Sequence, residues 1–158
     1  MCIRDRYCLV IRDLIDGIQP DNALVRSFAK AADVLGESER GELSVIRDYA
    51  KGTCDGYVVD CFWSAWDAFR SSDSYEETIV RAIRYGNDTD TTAAVAGGLA
   101  GACWGVEGIP SKWLAGMRGH ESSLRWLSSW LSVAGRLIHP VSSRATAAAG
   151  VSSSAERV

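Results

Sequence analysis

The stretch from Thr91 to Val106 constrains the fold most, because it runs for sixteen residues without a charge. It is rich in Gly and Ala, and it is shorter than the roughly 20 apolar residues that a membrane-spanning helix needs. Gly97, Gly101 and Gly105 recur at every fourth position, so one face of a helix here would be bare backbone that neighbouring helices could approach closely. We therefore predict that Thr91–Gly105 is a central helix and the most buried one.

The rest of the chain shows helical periodicity and no useful β-alternation, so the predicted fold class is all-α. Start and stop signals divide it into further helices. The predicted helices run from a cap at Asp21 or Asn22 to Leu35 before Gly36, over Leu43–Ala50 after a polar link at 36–42, and along an apolar face of Leu124, Leu127, Leu131 and Ile138. A break at Gly108-Ile109-Pro110 precedes a short segment around Trp113.

Residues 56–70 predict an amphipathic helix with an aromatic face. Core packing explains most of its aromatic side chains. The predicted buried stripe is Val58, Phe62, Ala65, Trp66 and Phe69, and the polar residues predicted to point elsewhere are Asp60, Ser64 and Asp67.

The next predicted helix has a clear start and a clear end. Ser74 and Glu77 have the spacing of a capping box, and Glu77 can pair with Arg81 one turn later. Gly86 stands where a helix-terminating glycine is expected. The side chains predicted to face inward are Ile79, Val80 and Ile83.

Length and charge set bounds on the kind of protein. With 158 residues the chain is long enough for one domain with a core, and its formal net charge of −3 argues against a nucleic-acid partner. The five cysteines never form a Cys-x-x-Cys pair, which favours buried reduced thiols over disulfides or a zinc site. The apolar run Tyr7–Ile11 is too short for a secretory signal, and we expect no membrane partner and a cytoplasmic location.

The sequence divides into three parts. Residues 1–6, MCIRDR, resemble translated sequencing-adapter sequence and are interpreted as a non-native leader. Residues 7–139 carry the predicted helices. Residues 140–158 are rich in Ser and Ala and are predicted to form a flexible tail.

Two carboxylates and a hydroxyl, from Asp88, Asp90 and Thr91, directly precede the uncharged run. A single acid there would be explained by helix capping and by the helix dipole. Two acids at positions i and i+2 repel each other unless a cation intervenes, and oxygen ligands suit Mg²⁺, Mn²⁺ or Ca²⁺. Spacing alone leaves metal binding and capping both open. An EF-hand loop is excluded, because Ala93 and Leu99 stand where it requires Gly and Glu.

The stretch GNDTDTTAAVAGGLAGACWG, residues 86–105, closely resembles the second signature of the ADP-ribosylglycohydrolase family. The similarity continues upstream in GYVVDCFWSAWDAF and SYEETIVRAIRYG, and downstream in GIPSKWLAGMRG. It is specific over Gly56–Gly119, weaker over Leu9–Gly52 and absent from the tail. The resemblance implies an orthogonal multi-helix, all-α domain that cleaves the N- or O-glycosidic bond between ADP-ribose and a modified protein side chain or a small acceptor.

The resemblance also implies roles for particular residues. Asp88, Asp90 and Thr91 would be metal ligands in a two-metal centre that contains Mg²⁺ or Mn²⁺. The stretch Gly56-Tyr57-Val58 matches one that lines the ADP-ribose pocket, so Gly56, Tyr57 and Val58 are candidate substrate-binding residues. The implied partner is an ADP-ribosylated protein or a small molecule that contains ADP-ribose.

The family's first signatures, a Gly-Asp-Ala-containing motif and a Thr/Ser-Asp-Asp cluster, do not occur in residues 1–55, where Asp13 and Asp16 are not adjacent. We therefore expect an N-terminally truncated chain that carries half of the metal shell, with its catalytic residues in the missing half. One alternative is a non-catalytic structural protein of the same fold, like a jellyfish lens crystallin. Another is a helical interaction domain in which Asp88–Thr91 is only a cap. Sequence upstream of this chain would distinguish the enzyme from the structural protein. Metal titration would distinguish the enzyme from the helical interaction domain.

Overall fold

The computed structural model describes residues 3–34, 37–49, 54, 56–119, 122, 125, 128 and 129. These residues contain helices and no strand, which confirms the predicted all-α fold. The helices are α1 (Ile3–Ile15), α2 (Pro20–Val34), α3 (Glu37–Arg47), α4 (Val58–Arg70), α5 (Tyr75–Arg84), α6 (Thr89–Trp104) and α7 (Ser111–Gly116), with a 3₁₀ turn over Val106–Gly108.

The first helix, α1, begins within the segment interpreted as a leader. Ile3, Val10 and Leu14 lie on one face of it at helical spacing and are buried. Arg6 is also completely buried, and its guanidinium carbon lies 4.3 Å from the centroid of the Phe28 ring of α2. Residues 3–6 are therefore part of the packed helix α1 in this structure.

Two predicted helix starts are wrong. Helix α2 begins at Pro20, so Asp21 lies in its first turn and is not its cap. Proline suits the first position of a helix, because the N–H that it lacks would have no partner there. Helix α3 begins at Glu37, so most of the predicted polar link at 36–42 is helical. Polar residues with good helix propensity gave no apolar periodicity to follow.

Helix α6 is central, as predicted, because it packs against α1, α4 and α5. Its Leu99 and Ala100 meet Val10 of α1 and the aromatic rings of Trp66 and Phe69 of α4 in the main core. A second core cluster consists only of alanines: Ala65 and Ala68 of α4, Ala82 of α5 and Ala96 of α6. Small side chains allow these three helices to lie close together.

The prediction that α6 is the most buried helix is wrong. Four of its residues are buried, against nine in α4. Helix α4 packs against α1, α5 and α6 at once, so Asp60 and Ser64 are buried with its aromatic face instead of pointing elsewhere. Val58, predicted to lie in the buried stripe, is 51% exposed.

Neighbouring side chains approach only part of the predicted glycine face of α6. A Cβ atom at Gly97 would lie 3.2 Å from the Tyr75 hydroxyl, but at Gly101 it would meet nothing within 4 Å. The tightest approach is at Gly98, where a Cβ atom would collide with the hydroxyl of Tyr7. Helix α1 therefore packs on Gly98, which lies outside the four-residue pattern.

Helix α5 has the predicted boundaries. The Ser74 side chain accepts a hydrogen bond from the Glu77 N–H, and Glu77 pairs with Arg81. The second half of the capping box differs, since the Glu77 carboxylate accepts from the N–H of Asp73 and not from that of Ser74. The prediction that Ile83 faces inward is wrong, because its side chain is 52% exposed.

The chain divides into two compact units, Met1–Gly116 and Met117–Val158. The apolar residues of the predicted last helix and the predicted tail at 140–158 lie outside the described residues. Within the second unit, the Ser128 hydroxyl donates to the carbonyl of Arg125 at 2.9 Å. No helix in the described part of the chain is both long enough and apolar enough to span a bilayer.

Candidate metal and ligand site

The turn between α5 and α6 places Asp88 at the N-terminal position of α6. Gly86 and Asn87 both have left-handed backbone, with φ of 76° and 54°. The N–H of Asp88 donates to the carbonyl of Cys54 at 3.1 Å, and its own carbonyl accepts from the N–H of Thr92 at 3.2 Å. The backbone of Asp88 is thus tied both to α6 and to the segment before α4.

The Asp88 side chain makes no capping hydrogen bond of ordinary geometry to the N-terminus of α6, although it lies near the backbone N–H of Thr91 in the first turn. Hydrogen bonds that the hydroxyl and the backbone N–H of Thr91 donate to the Asp88 carboxylate lower its pKa. Asp88 is half-buried, while Asp90 and Thr91 are exposed. Two carboxylates and a hydroxyl that remain open to solvent are the oxygen donors that a hard divalent cation prefers, so this donor set fits Mg²⁺ or Mn²⁺.

Gly56 lies directly against Asp88. Its φ of 88° is left-handed, and a Cβ atom added there would lie 3.4 Å from Asp88 Oδ2. A side chain at this position would combine backbone strain with a close contact on the carboxylate. The fold therefore brings together two segments that the sequence singled out separately.

A cavity of ≈ 220 Å³ opens beside this junction. Gly56 and Val58 line it from one side and Thr91 from the other. The remaining lining residues come from α1 (Ile3, Arg4 and Tyr7), from α4 (Cys61 and Phe62) and from α6 (Val95). The lining of the cavity is mostly apolar.

Tyr57 does not line this cavity. Its side chain is 53% exposed, and its ring centroid lies 5.8 Å from that of Tyr49 at an angle of 49°. The two tyrosines form an aromatic pair next to Gly56, outside the cavity that Val58 lines.

Beneath the turn lies a buried polar group that the sequence analysis missed. Thr92 is 1% exposed, and its hydroxyl lies 3.1 Å from the sulfur of Cys54 and 3.9 Å from that of Cys61. Burial raises the pKa of the Cys61 thiol. The pair of adjacent threonines could have indicated this buried group. Successive positions on a helix point in different directions, so the two side chains cannot both face the cavity.

Asp13, which is not adjacent to Asp16 in the sequence, forms an ion-pair cluster with cations of α1 and α2. It is buried and accepts hydrogen bonds from Arg26 at 2.8 Å, Arg12 at 3.2 Å and Lys30 at 3.3 Å. Within the ranges that the structure describes, no group of three or more His, Cys, Asp or Glu side chains is arranged to bind a metal ion. Asp88, Asp90 and Thr91 are candidate ligands because of their motif and their oxygen donors, one of which is a hydroxyl.

Comparisons with known proteins agree with the resemblance. A sequence profile described as ADP-ribosylglycohydrolase matches residues 6–146. The ADP-ribosyl-[dinitrogen reductase] glycohydrolase of Rhodospirillum rubrum is 34% identical over 87 residues, which are 54% of this chain and 30% of that protein.

Two further relatives are covered by this chain over smaller fractions of their length. The ADP-ribosylarginine hydrolase Tri1 of Pseudomonas putida is 36% identical over 90 residues, 57% of this chain and 23% of that protein. The ADP-ribosylhydrolase ARH3 of Bos taurus is 42% identical over 50 residues, 32% of this chain and 14% of that protein. The chain thus spans less than a third of each of these relatives. No solved structure gives a significant match.

Proposed function

The chain belongs to the ADP-ribosylglycohydrolase family, and on this premise we propose that it is part of a metal-dependent hydrolase that removes ADP-ribose from a modified protein side chain or a small acceptor. The observation that carries the proposal is the meeting of two segments at one cavity. Gly56 and Val58 on one side and Thr91 on the other line this cavity, and Asp88 adjoins Gly56.

Asp88, Asp90 and Thr91 would be the metal ligands. The support is chemical: the three side chains offer the oxygen donors that a hard divalent cation prefers, and Asp90 and Thr91 are exposed. A bound Mg²⁺ or Mn²⁺ would supply a positive charge that holds ribose hydroxyls and orients a water molecule toward the anomeric carbon. A second cation would need further ligands beyond these three.

The cavity would accept an apolar or planar part of the ADP-ribosyl group. Val58 and Phe62 provide apolar wall and exclude water from one side of the ligand. Gly56 has no side chain, so a ligand can approach the Asp88 carboxylate closely. Tyr57, paired with Tyr49, would offer an aromatic face to the nucleotide at the edge of the site.

The proposed substrate is an ADP-ribosylated protein or a small molecule that contains ADP-ribose. Its support is the relatives' names, which include an ADP-ribosyl-[dinitrogen reductase] glycohydrolase and an ADP-ribosylarginine hydrolase. The alternative is a non-catalytic structural protein of the same fold. In that case the donors at Asp88–Thr91 would not bind a nucleotide-linked sugar.

Calorimetric titration of the chain with ADP-ribose in the presence of Mn²⁺ tests this proposal. We expect binding that Asp88→Asn weakens by about tenfold or more, through loss of a ligand whose cation contacts the sugar. Asp73→Asn, an exposed acid before α5, is the matched control and should bind like the wild type.

A second variant tests the cavity separately from the metal. Val58→Trp would fill space on the cavity wall, so ADP-ribose binding should fall while Mn²⁺ affinity stays unchanged. If the wild type binds no ADP-ribose, the structural alternative is favoured. If Asp88→Asn and Val58→Trp bind it as well as the wild type, the assigned site is wrong and the nucleotide binds elsewhere.

A further inference from the structure

We propose that Thr92, through its contact with Cys54, is a positioning residue that fixes the Asp88 turn beneath the predicted ligands. The inference rests on the function proposed above, in which Asp88 binds the cation. It assigns a role to the third threonine of Asp-Thr-Asp-Thr-Thr, whose side chain faces the protein interior.

Thr91 and Thr92 are neighbours with opposite surroundings. Thr91 is exposed and lines the cavity, whereas Thr92 is 1% exposed. The Thr92 hydroxyl cannot reach solvent, and its nearest polar partner is the sulfur of Cys54 at 3.1 Å. A buried hydroxyl needs such a partner, because an unsatisfied one costs its full desolvation free energy.

Three contacts join Thr92, Cys54 and Asp88 into a closed loop. The N–H of Thr92 donates to the carbonyl of Asp88, and the N–H of Asp88 donates to the carbonyl of Cys54. The side-chain contact between Cys54 and Thr92 completes the loop. Removing the hydroxyl of Thr92 would leave the Asp88 N–H bond to the Cys54 carbonyl as the remaining hydrogen bond of this loop to Cys54.

The backbone on both sides of this loop is strained. Cys54 and Asn87 have φ of 55° and 54°, in the left-handed region that residues other than glycine rarely adopt. Such a conformation persists only where surrounding contacts enforce it. The contact between Cys54 and Thr92 is one of those contacts.

The experiment compares Thr92→Val, which keeps the shape and removes the hydroxyl, with Thr92→Ser, which keeps the hydroxyl. Two quantities are measured in the full chain: the hydrogen-exchange rate of the Asp88 amide by NMR, and the affinity for Mn²⁺. In Thr92→Val we expect the amide to exchange about tenfold faster and the Mn²⁺ affinity to fall by about tenfold. Thr92→Ser should restore both.

Thr78→Val is the matched control, because Thr78 is also fully buried and its hydroxyl donates to the Ser74 carbonyl at the other end of α5. It should reduce thermal stability without changing Asp88 exchange or Mn²⁺ affinity. A Cys54→Ala variant should reproduce Thr92→Val, and the double variant should be no worse than either single one.

The outcomes test the positioning role of Thr92 and the metal-binding function separately. An unchanged Asp88 exchange rate in Thr92→Val, or the same change in Thr78→Val, overturns the positioning role. If the wild type binds no Mn²⁺, the metal part of the proposed function fails, and with it the claim that Thr92 positions a metal ligand, whatever the exchange rates show. Faster exchange and weaker Mn²⁺ binding together, both rescued by serine, support it.

Discussion

The hydroxyl of Tyr7 lies directly over Gly98 and donates a hydrogen bond to the carbonyl of Val95 at 3.2 Å. This contact joins α1 to α6 where the helices form the cavity wall, since Tyr7 and Val95 both line the cavity. The absence of a side chain at Gly98 is what allows the hydroxyl to reach the helix backbone.

Gly98→Ala should therefore destabilise the protein. The added methyl group would force Tyr7 away and break its hydrogen bond, at a cost of about 1–3 kcal/mol in the free energy of unfolding. Urea denaturation measures the change. Gly101→Ala is the matched control, because a Cβ atom there meets nothing within 4 Å and alanine favours a helix by about 0.5–1 kcal/mol. Equal destabilisation by both substitutions would contradict the close approach of Tyr7.

Arg6→Met should stabilise the protein. Arg6 is fully buried, and none of its three side-chain nitrogens has a hydrogen-bond partner among the residues that the structure describes. Burial lowers the pKa of Arg6, and the opposing effect of the Asp5 charge does not cancel it. A lowered pKa means that the charged guanidinium is less favourable in the folded protein than in water. Removing the buried charge should raise the free energy of unfolding by about 1–3 kcal/mol. This gain should exceed the loss of the contact between the guanidinium and the Phe28 ring.

The control for Arg6 is Arg4→Met, because Arg4 is exposed on the same helix. Its unfolding midpoint in urea should change little. A lower midpoint for Arg6→Met than for the wild type would show that the guanidinium has a stabilising partner in solution.

Asp13 should give stability that is lost in acid. Burial alone would raise the pKa of Asp13, but hydrogen bonds from Arg26, Arg12 and Lys30 outweigh it and lower the pKa below its usual value. A lowered pKa means that the stabilisation is complete above about pH 4, near the unfolded-state pKa, and disappears as pH falls through the folded-state pKa. Thermal unfolding between pH 7 and pH 2 measures this loss.

Asp13→Asn should lower the free energy of unfolding at pH 7 by about 2 kcal/mol, because three cations then lose their shared carboxylate. The gap between wild type and variant should narrow below about pH 4. Asp48→Asn is the control, since the Arg47–Asp48 pair is exposed on both sides and should contribute little. A gap that stays constant down to pH 2 would contradict the ion-pair cluster.

Much of the fold could be predicted from local signals. Ser74 and Gly86 mark the ends of α5 because capping and left-handed backbone depend on a few neighbouring residues. Burial could not be read in the same way. Asp60 is polar and yet buried, and Gly98 lies outside the four-residue pattern, because both depend on which helix packs from the far side.

The candidate site shows the same division. Asp88, Asp90 and Thr91 could be proposed as metal ligands from one short motif. Gly56 could be proposed as a substrate-binding residue from a second stretch of sequence. Their proximity could not, since it depends on the hydrogen bond from Asp88 to Cys54, 34 residues earlier in the chain. Thr92 was missed because nothing local distinguishes a threonine that faces the cavity from one that faces the core.

The chain of 158 residues should be a poor catalyst or none. Two hard cations require six or more oxygen ligands each, and Asp88, Asp90 and Thr91 supply too few to fix two ions at bridging distance. We expect at most slow release of ADP-ribose from ADP-ribosyl-arginine and ADP-ribosyl-serine peptides with excess Mn²⁺. Robust release that disappears in Asp88→Asn would show that the site is complete as it stands.

Mn²⁺ titration, followed by the electron paramagnetic resonance signal of the free ion, tests the metal assignment most directly. The wild type should bind Mn²⁺, Asp73→Asn should bind it equally, and Asp88→Asn or Asp90→Asn should each weaken binding by more than the roughly tenfold that loss of an outer-shell partner costs. The double variant should not bind measurably. Mn²⁺ binding that is undiminished in the double variant would contradict the account, since it would show that Asp88 and Asp90 are not metal ligands.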